Sequence, residues 1–336
     1  METQIVVVML LVSSIILPGI PQVNENHSNF ELADDLSGVH VAIFNATVTD
    51  ISSACKNATK AMYEWMNATV EFVDENDVLE NRLYGYDIFV IPPGNLPEYS
   101  VKLGSDGKEK IREYIRNGGS FVGVSRGAHF ACEIANVYST VNNWGLNLFN
   151  GTGLGPVDGY LDPHMYVANI NKTLSGFDFS SLPDSMTMMG WESIRFIPEN
   201  NVPLNVIASY STNNQPAMIS YGYGQGTVFL SGIHPEFEED ADRDNTAYFD
   251  QNEDPETDWP LMLAVSGWQL ETSTWDNASI DSITATTTGT ATSTTNDTDT
   301  TDTTLAQFPV EILAIAGGLG IVVILIAAVA LLRKRG

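Results

Sequence analysis

Short apolar runs alternate with segments of helical spacing between residues 39 and 135, and this alternation limits the chain to few folds. The predicted strands are residues 39–44, 70–73, 86–92 and 121–124, and the predicted helices are residues 52–66, 108–116 and 128–135. The run YDIFVIP (86–92) is almost entirely apolar, as expected of a strand that helices cover on both faces. Strands that alternate with helices predict a parallel sheet in an α/β layered fold.

The later part of the chain is predicted to add strands and one closing helix. The strands are residues 205–209, 217–221 and 227–231, and the helix is residues 260–268. A folded region of residues 37–270 follows from this pattern. In such folds ligands bind at the carboxyl ends of the parallel strands. Two unusual turns, PPGN (92–95) and VSRG (124–127), are expected at that edge.

A serine stands between two glycines where the strand 121–124 turns into a helix. The pattern G-V-S-R-G around Ser125 has the form of a nucleophile elbow. Gly123 and Gly127 would permit the sharp turn, which would raise the serine oxygen above the amides at the start of the helix. Those amides stabilise developing negative charge. A serine that only caps the helix is the alternative.

A catalytic serine needs a base, and the base needs a carboxylate that orients it. His234 follows the apolar run 227–231, so a parallel sheet would present it at the same edge as Ser125. Glu236 comes two residues later and could face the same cleft. The alternative is a surface histidine beside an acidic loop.

Three motifs occur in a characteristic order: P-G-N (93–95) after a strand, G-V-S-R-G-A-H-F-A (123–131) at the elbow, and G-I-H-P-E (232–236) after a late strand. Their order and spacing resemble the class I glutamine amidotransferase-like superfamily. Within it, the chain is most similar to the biotin-protein ligase N-terminal domain family. That closer resemblance includes KEKIREYIRNGGSFVGVSRGAHFAC and LNLFNGTGLGPVDGY, and the whole resemblance covers about residues 38–270.

The resemblance implies a flavodoxin-like three-layer sandwich with a mostly parallel sheet. It also implies a catalytic triad, in which Ser125 is the nucleophile and His234 and Glu236 are its partners. Backbone amides would form the oxyanion hole, contributed by Gly94 or Asn95 and by Arg126. No cofactor and no metal ion are implied.

The sequence departs from the family pattern at the elbow and after the folded region. Relatives usually carry cysteine at the position of Ser125, and a hydroxyl depends on its base more than a thiol does. Arg126 replaces a small residue, and would either bind a substrate carboxylate or block the pocket. His129, one helical turn past Ser125, is a candidate for packing or substrate contact. The residues after 270 are predicted to be stalk and anchor rather than a ligase catalytic part.

Two functions of different classes remain open. The first is an externally facing serine-type hydrolase of amide or peptide bonds, which acts through Ser125, His234 and Glu236. The second is a non-catalytic surface domain of the same fold, which binds a small amide, a peptide or a glycan. The histidine and glutamate favour the hydrolase, whereas Arg126 and the missing elbow cysteine favour the binding domain.

Charge and cysteine content exclude some classes of protein. The net charge of −27 argues against nucleic-acid binding, which needs a basic face. The acidity indicates a solvated surface, with adaptation to high salt or cation binding as alternatives. The two cysteines, Cys55 and Cys132, form no disulfide framework, although a single bridge between them is left open.

Both ends of the chain carry membrane signals. Residues 5–17 suit the core of a signal peptide, so residues 1–22 are predicted as a signal peptide or an uncleaved anchor. Residues 312–332 form an uncharged run of 21 residues, long enough to span a bilayer within a predicted anchor at 308–332. The basic tail 333–336 is expected in the cytoplasm, with everything before the span outside.

A threonine-rich segment separates the folded region from the predicted span. Between residues 284 and 304, 13 of 21 residues are threonine, so residues 271–307 are predicted as an extended stalk. Glycosylation triplets begin at Asn26, Asn45, Asn57, Asn67, Asn150, Asn171, Asn277 and Asn296. Their number is typical of a glycosylated exterior. The sequence therefore predicts a type I single-pass protein of the cell membrane.

Overall fold

The computed structural model describes residues 35–46, 50–199, 202–238, 242–250 and 257–274. The predicted signal peptide or anchor, the C-terminal span and the basic tail lie outside these residues, as does the stalk beyond residue 274. Within the described ranges, no helix is both long enough and apolar enough to cross a membrane.

The described chain forms two sheets and five α-helices. Its strands are β1 (His40–Phe44), β2 (Thr69–Val73), β3 (Ile88–Ile91), β4 (Ser120–Val124), β5 (Cys132–Val137), β6 (Thr140–Asn142), β7 (Phe149–Gly155), β8 (His164–Ile170), β9 (Ser185–Gly190), β10 (Arg195–Pro198), β11 (Asn205–Tyr210), β12 (Pro216–Tyr223) and β13 (Gly226–Ser231). Its helices are α1 (Asp50–Trp65), α2 (Glu75–Leu79), α3 (Leu96–Arg116), α4 (Arg126–Ala131) and α5 (Trp259–Thr272).

The main sheet has the strand order β2-β1-β3-β4-β13-β12-β11-β8-β9. The first five strands are parallel, in the order of a doubly wound sheet. The other four continue the sheet in antiparallel pairs. Only two residues join β12 to β13, and so short a connection permits only antiparallel pairing. The expected parallel sheet is therefore present in one half of the main sheet only.

A second sheet follows the elbow helix, in the order β10-β7-β5-β6. The helix predicted for residues 128–135 ends at Ala131, and the chain continues as β5, which pairs with β6 and β7. Short apolar segments do not distinguish helix from strand by periodicity, which explains the error. Cys132 consequently lies in a strand, and Cys55 lies in α1. Both cysteines are free and buried, so the bridge left open above is not formed.

Helices cover both faces of the parallel half of the main sheet. On one face α1 and α5 contribute Met62, Trp259 and Val265 to a core that includes Val122. On the other face α3 and α4 pack with Phe121 and its neighbours. These two cores give the α/β fold three layers, with the sheet in the middle. The strands β3, β4 and β13 are buried along their full lengths, as expected between two helical layers.

The elbow helix approaches the end of β3 so closely that one position admits only glycine. A Cβ atom on Gly127 would collide with the backbone carbonyl of Ile91. A Cβ on Gly123 would lie 3.0 Å from the backbone of Ala128, again tighter than ordinary contact. The two glycines of the elbow therefore serve close packing between β3, β4 and α4.

Gly127→Ala is expected to lower the free energy of unfolding by about 1–3 kcal/mol, because backbone must shift to admit the methyl group. Gly267→Ala is the matched control, since a Cβ at Gly267 in α5 would meet nothing within 4 Å. The control should be neutral or gain up to about 1 kcal/mol from helix propensity. Urea unfolding of the three proteins checks this, and equal stability of Gly127→Ala and the parent would contradict it.

Candidate active site

Three neighbouring strands of the parallel half deliver the predicted site residues to one edge of the sheet. The strand β4 lies between β3 and β13, with Ile91 and Leu230 both paired to Gly123. The turn 92–95 follows β3, Ser125 follows β4, and His234 follows β13. The residues proposed from three separate motifs therefore meet at the carboxyl ends of adjacent strands.

Ser125 has the strained backbone of a nucleophile elbow, with φ 50° and ψ −109°. Its amide donates to the carbonyl of Ser231 at 2.8 Å, and the amide of His129 donates to its carbonyl at 2.9 Å. The side chain does not cap the helix, and the residue is 5% exposed. A non-glycine residue in such a conformation costs about 1–3 kcal/mol, and strain of this kind is concentrated at functional sites.

His234 and Glu236 form a buried pair beside the elbow. His234 Nδ1 lies 2.9 Å from Glu236 Oε1, and an ionised carboxylate can only accept, so Nδ1 donates. The loop is held by further bonds: His234 N donates to Met189 O at 2.8 Å, and Trp259 Nε1 donates to Glu236 O at 3.2 Å. With the proton on Nδ1, the Nε2 atom of a neutral His234 carries a lone pair.

Ser125 and His234 line the same cleft, which has a volume of about 260 Å³. We call it the elbow cleft, and its walls are Ser52, Cys55, Pro93, Gly94, Asn95, Ser125, Arg126, Trp191, Glu192 and His234. His234 Nε2 is buried and has no hydrogen-bond partner among the described residues. Ser125 and His234 thus share the cleft, but no hydrogen bond joins His234 Nε2 to the serine. Such bonds are often long in ligand-free sites.

The three residues predicted for the oxyanion hole are all walls of the elbow cleft. Asn95 caps α3, and its side chain accepts from the amide of Glu98 at 3.2 Å. The element α3 is interrupted at Gly104, whose φ of 58° and ψ of −164° are not helical, so the predicted helix 108–116 corresponds to the part after this break. The part before the break brings the N-terminal end of α3 to the cleft. Arg126 is the first residue of α4. Amides at helix starts have no acceptor inside their helix, so those of Gly94, Asn95 and Arg126 can serve an oxyanion.

Arg126 is paired rather than free. Its guanidinium donates to Glu192 in the turn between β9 and β10, and both side chains are about one quarter exposed or less. Arg126 also borders a second, adjoining cavity of about 490 Å³, whose lining includes the exposed side chains of Tyr138 and Trp144. The guanidinium therefore stands between the two cavities, and the carboxylate of Glu192 holds it there.

His129 does not reach the elbow cleft, contrary to the predicted substrate contact. It belongs to α4 and is fully buried, and its Nε2 lies 3.2 Å from the carbonyl of Gly153 in β7. Burial, and secondly the charge of Arg126, lowers the pKa of His129 to about 3. The packing alternative describes its position, because β7 of the second sheet occupies the space beneath the elbow helix.

Sequence reasoning missed four walls of the cleft. Ser52 and Cys55 come from α1, while Trp191 and Glu192 come from the turn after β9. For Cys55 the sequence indicates no role beyond one half of a disulfide bridge. Glu192 has φ 49°, a backbone conformation rare outside glycine, and no local motif indicates it. The bridge between Met189 in β9 and His234, which are far apart in the chain, places this turn near the histidine.

Comparison with known proteins agrees with the resemblance stated from the motifs. Residues 39–160 match the family described as "Biotin-protein ligase, N terminal". The resemblance to that family is confirmed. The stretch includes the turn 92–95 and Ser125, but ends before His234 and Glu236.

Two curated relatives match less than half of this chain. A biotin–protein ligase of Schizosaccharomyces pombe is 26% identical over 161 residues, which cover 45% of this chain and 25% of the ligase. An uncharacterized protein of Chlamydia muridarum is 27% identical over 158 residues, which cover 45% of this chain and 60% of that protein. The chain thus spans less than two thirds of either relative.

Solved structures with a similar arrangement share little sequence with this chain. A putative ThuA-like protein from Bacteroides uniformis is 14% identical, with a TM-score of 0.46 over 70% of this chain and 93% of that one. A glutamine amidotransferase from Thermotoga maritima is 15% identical, with a TM-score of 0.44 over 69% and 92% of the two chains. Neither likeness assigns a function.

The depressed pKa of His129 predicts a loss of stability in acid. The unfolded chain takes up the proton near pH 6.5 and the folded chain only near pH 3, so unfolding gains a proton between these values. The free energy of unfolding should fall by roughly 1.4 kcal/mol per pH unit from this residue alone as pH drops through that window.

Urea unfolding of the parent and variants at pH 7 and pH 5 measures how much His129 contributes to this fall in unfolding free energy. In His129→Asn, the fall in unfolding free energy between the two pH values should be smaller than in the parent. His40→Asn is the control, because His40 is exposed and its replacement should leave the fall unchanged. Equal falls in the parent and His129→Asn would contradict the assignment.

Proposed function

We propose that this protein is a serine-type hydrolase that cleaves an amide or peptide bond in the elbow cleft. One observation carries the proposal: the strained Ser125 and His234 are walls of a single cleft, and Glu236 is hydrogen-bonded to His234. Strained elbow geometry, an oriented base and helix-start amides are the three parts that acyl transfer to serine requires.

In the proposed reaction Ser125 Oγ attacks the substrate carbonyl as His234 Nε2 takes the hydroxyl proton. Glu236 accepts a hydrogen bond from the Nδ1–H of His234 and stabilises the imidazolium that forms. The carbonyl oxygen becomes an oxyanion, which amides of Gly94 or Asn95 and of Arg126 would bind. His234 returns its proton to the leaving amine, and an acyl ester on Ser125 remains. Water, activated by His234, then releases the acid and restores the serine.

A binding domain without turnover is the second candidate, and the Arg126–Glu192 ion pair favours it. Arg126 follows Ser125 in the chain, and both are walls of the elbow cleft, where the paired guanidinium would narrow the approach to the serine. In this alternative the two adjoining cavities would bind a small amide, a peptide or a glycan, and Ser125 would be inert. Reactivity of Ser125 distinguishes the two candidates.

A fluorophosphonate probe should label the purified protein once, at Ser125. Ser125→Ala should abolish labelling, and His234→Ala should slow it by roughly 10²- to 10⁴-fold, because the general base is lost. His164→Ala is the matched control, since His164 stacks on Tyr160 and is not a wall of the elbow cleft. Mass spectrometry of the labelled peptide gives both the site and the rate.

Three results would decide between the candidates. Labelling at Ser125 that is lost in both active-site variants and kept in His164→Ala supports the hydrolase. A folded parent that remains unlabelled favours the binding domain. If Arg126→Met is then labelled at Ser125, the Arg126–Glu192 ion pair is what excluded the probe from the parent. That result supports a hydrolase in which the ion pair controls access to Ser125.

We further propose that the chain is a single-pass membrane protein with this domain outside the cell. The uncharged run 312–332 and the basic residues that follow it support the proposal. The full chain should sediment with membranes and resist alkaline extraction, whereas a chain that ends at residue 307 should not. Protease added to intact cells should remove the domain. A full chain that stays in the soluble fraction would contradict the proposal.

A further inference from the structure

A cysteine that the proposed reaction does not use lies against the catalytic pair. Cys55 is 3% exposed, belongs to α1 and is a wall of the elbow cleft. One ligand-type atom each from Cys55, His234 and Glu236 lies within 4.8 Å of the others, and all three residues are buried. One sulfur, one nitrogen and one oxygen donor are thus grouped beside the cleft.

Among the side chains that the structure describes, no lysine or arginine forms an ion pair with Glu236. Glu236 is fully buried, and its Oε2 atom has no hydrogen-bond partner in the part of the chain that the structure describes. His234 Nε2 is unpartnered in the same way. Arg126, the cation of the cleft, is paired with Glu192. A buried carboxylate with an unused oxygen is costly, and a bound cation would remove that cost.

We propose that Cys55, His234 and Glu236 bind a divalent transition-metal ion of the zinc type, which enters through the elbow cleft. Zinc bonds to sulfur, nitrogen and oxygen are about 2.0–2.3 Å long, so the three donor atoms must approach one another by roughly 1 Å. Thiolate and imidazole ligands favour zinc over magnesium or calcium. With three protein ligands, the fourth position would face the cleft.

Metal binding would switch off the serine. Coordination at Nε2 removes the lone pair that accepts the serine proton, and coordination at Nδ1 replaces the bond to Glu236. In both cases His234 no longer serves as the base. This consequence, unlike the binding itself, rests on the proposed function, and it makes the site inhibitory.

Cobalt(II) is the probe, because a thiolate ligand gives it an intense near-ultraviolet charge-transfer band. The protein is first treated with a chelator and then titrated with Co²⁺. One equivalent should bind with that band, and Zn²⁺ should displace it. Cys55→Ala should lose the band. It should also bind Co²⁺ more weakly than the parent, by a factor larger than the roughly 10- to 100-fold that loss of an outer-shell partner costs. Cys132→Ala is the matched control, since this other buried cysteine lies in β5.

Two further variants separate this inference from the proposed reaction. Ser125→Ala should bind Co²⁺ like the parent, whether or not Ser125 reacts. If Ser125 is labelled by the phosphonate, Zn²⁺ should slow labelling of the parent and leave Cys55→Ala at its own metal-free rate.

Circular dichroism and thermal unfolding establish that each variant is folded. Absence of saturable Co²⁺ binding by the folded parent would overturn the inference. So would binding without the thiolate band, or a band that survives in Cys55→Ala.

Discussion

The candidate site depends on the position of β4 between β3 and β13. Because these three strands are parallel and adjacent, their carboxyl ends meet at one edge, and the turn after each carries a different part of the site. The close approach of Gly127 to Ile91 then lets the elbow helix, which begins directly after Ser125, pack against β3. Side chains larger than hydrogen at Gly127 would separate these elements.

The second half of the sheet supports His234 rather than Ser125. Met189 in β9 holds the backbone of His234, and the turn after β9 supplies Glu192, which pairs with Arg126. The start of α5 holds the carbonyl of Glu236 through Trp259. Antiparallel strands and the closing helix thus orient the histidine–glutamate pair that the parallel strands bring to the edge.

Local patterns were sufficient to predict the parallel strands and the residues at their ends. Apolar runs with flanking glycines located β1, β3, β4 and β13, and the motifs around Ser125 and His234 needed only strand adjacency to be brought together. The second sheet was missed because the six residues of β5 look helical in isolation and become a strand through pairing with β7.

The walls contributed from distant parts of the chain were beyond local reasoning. Cys55 approaches Glu236 only because α1 packs across one face of the sheet, and Trp191 enters with the turn after β9. For His129, local reasoning predicted a contact that is absent. Helical spacing placed His129 near the pocket, whereas its side chain is buried against β7.

The central claim is that Ser125, His234 and the amides at the two helix starts act as one acyl-transfer site. A crystal structure of the protein after reaction with a phosphonate tests it most directly. We expect phosphorus bonded to Ser125 Oγ and a phosphonyl oxygen about 2.7–3.1 Å from amides of Gly94 or Asn95 and of Arg126. We also expect His234 Nε2 to be turned to Ser125 Oγ. An unmodified Ser125 in a structure whose elbow cleft is open to the reagent would contradict it.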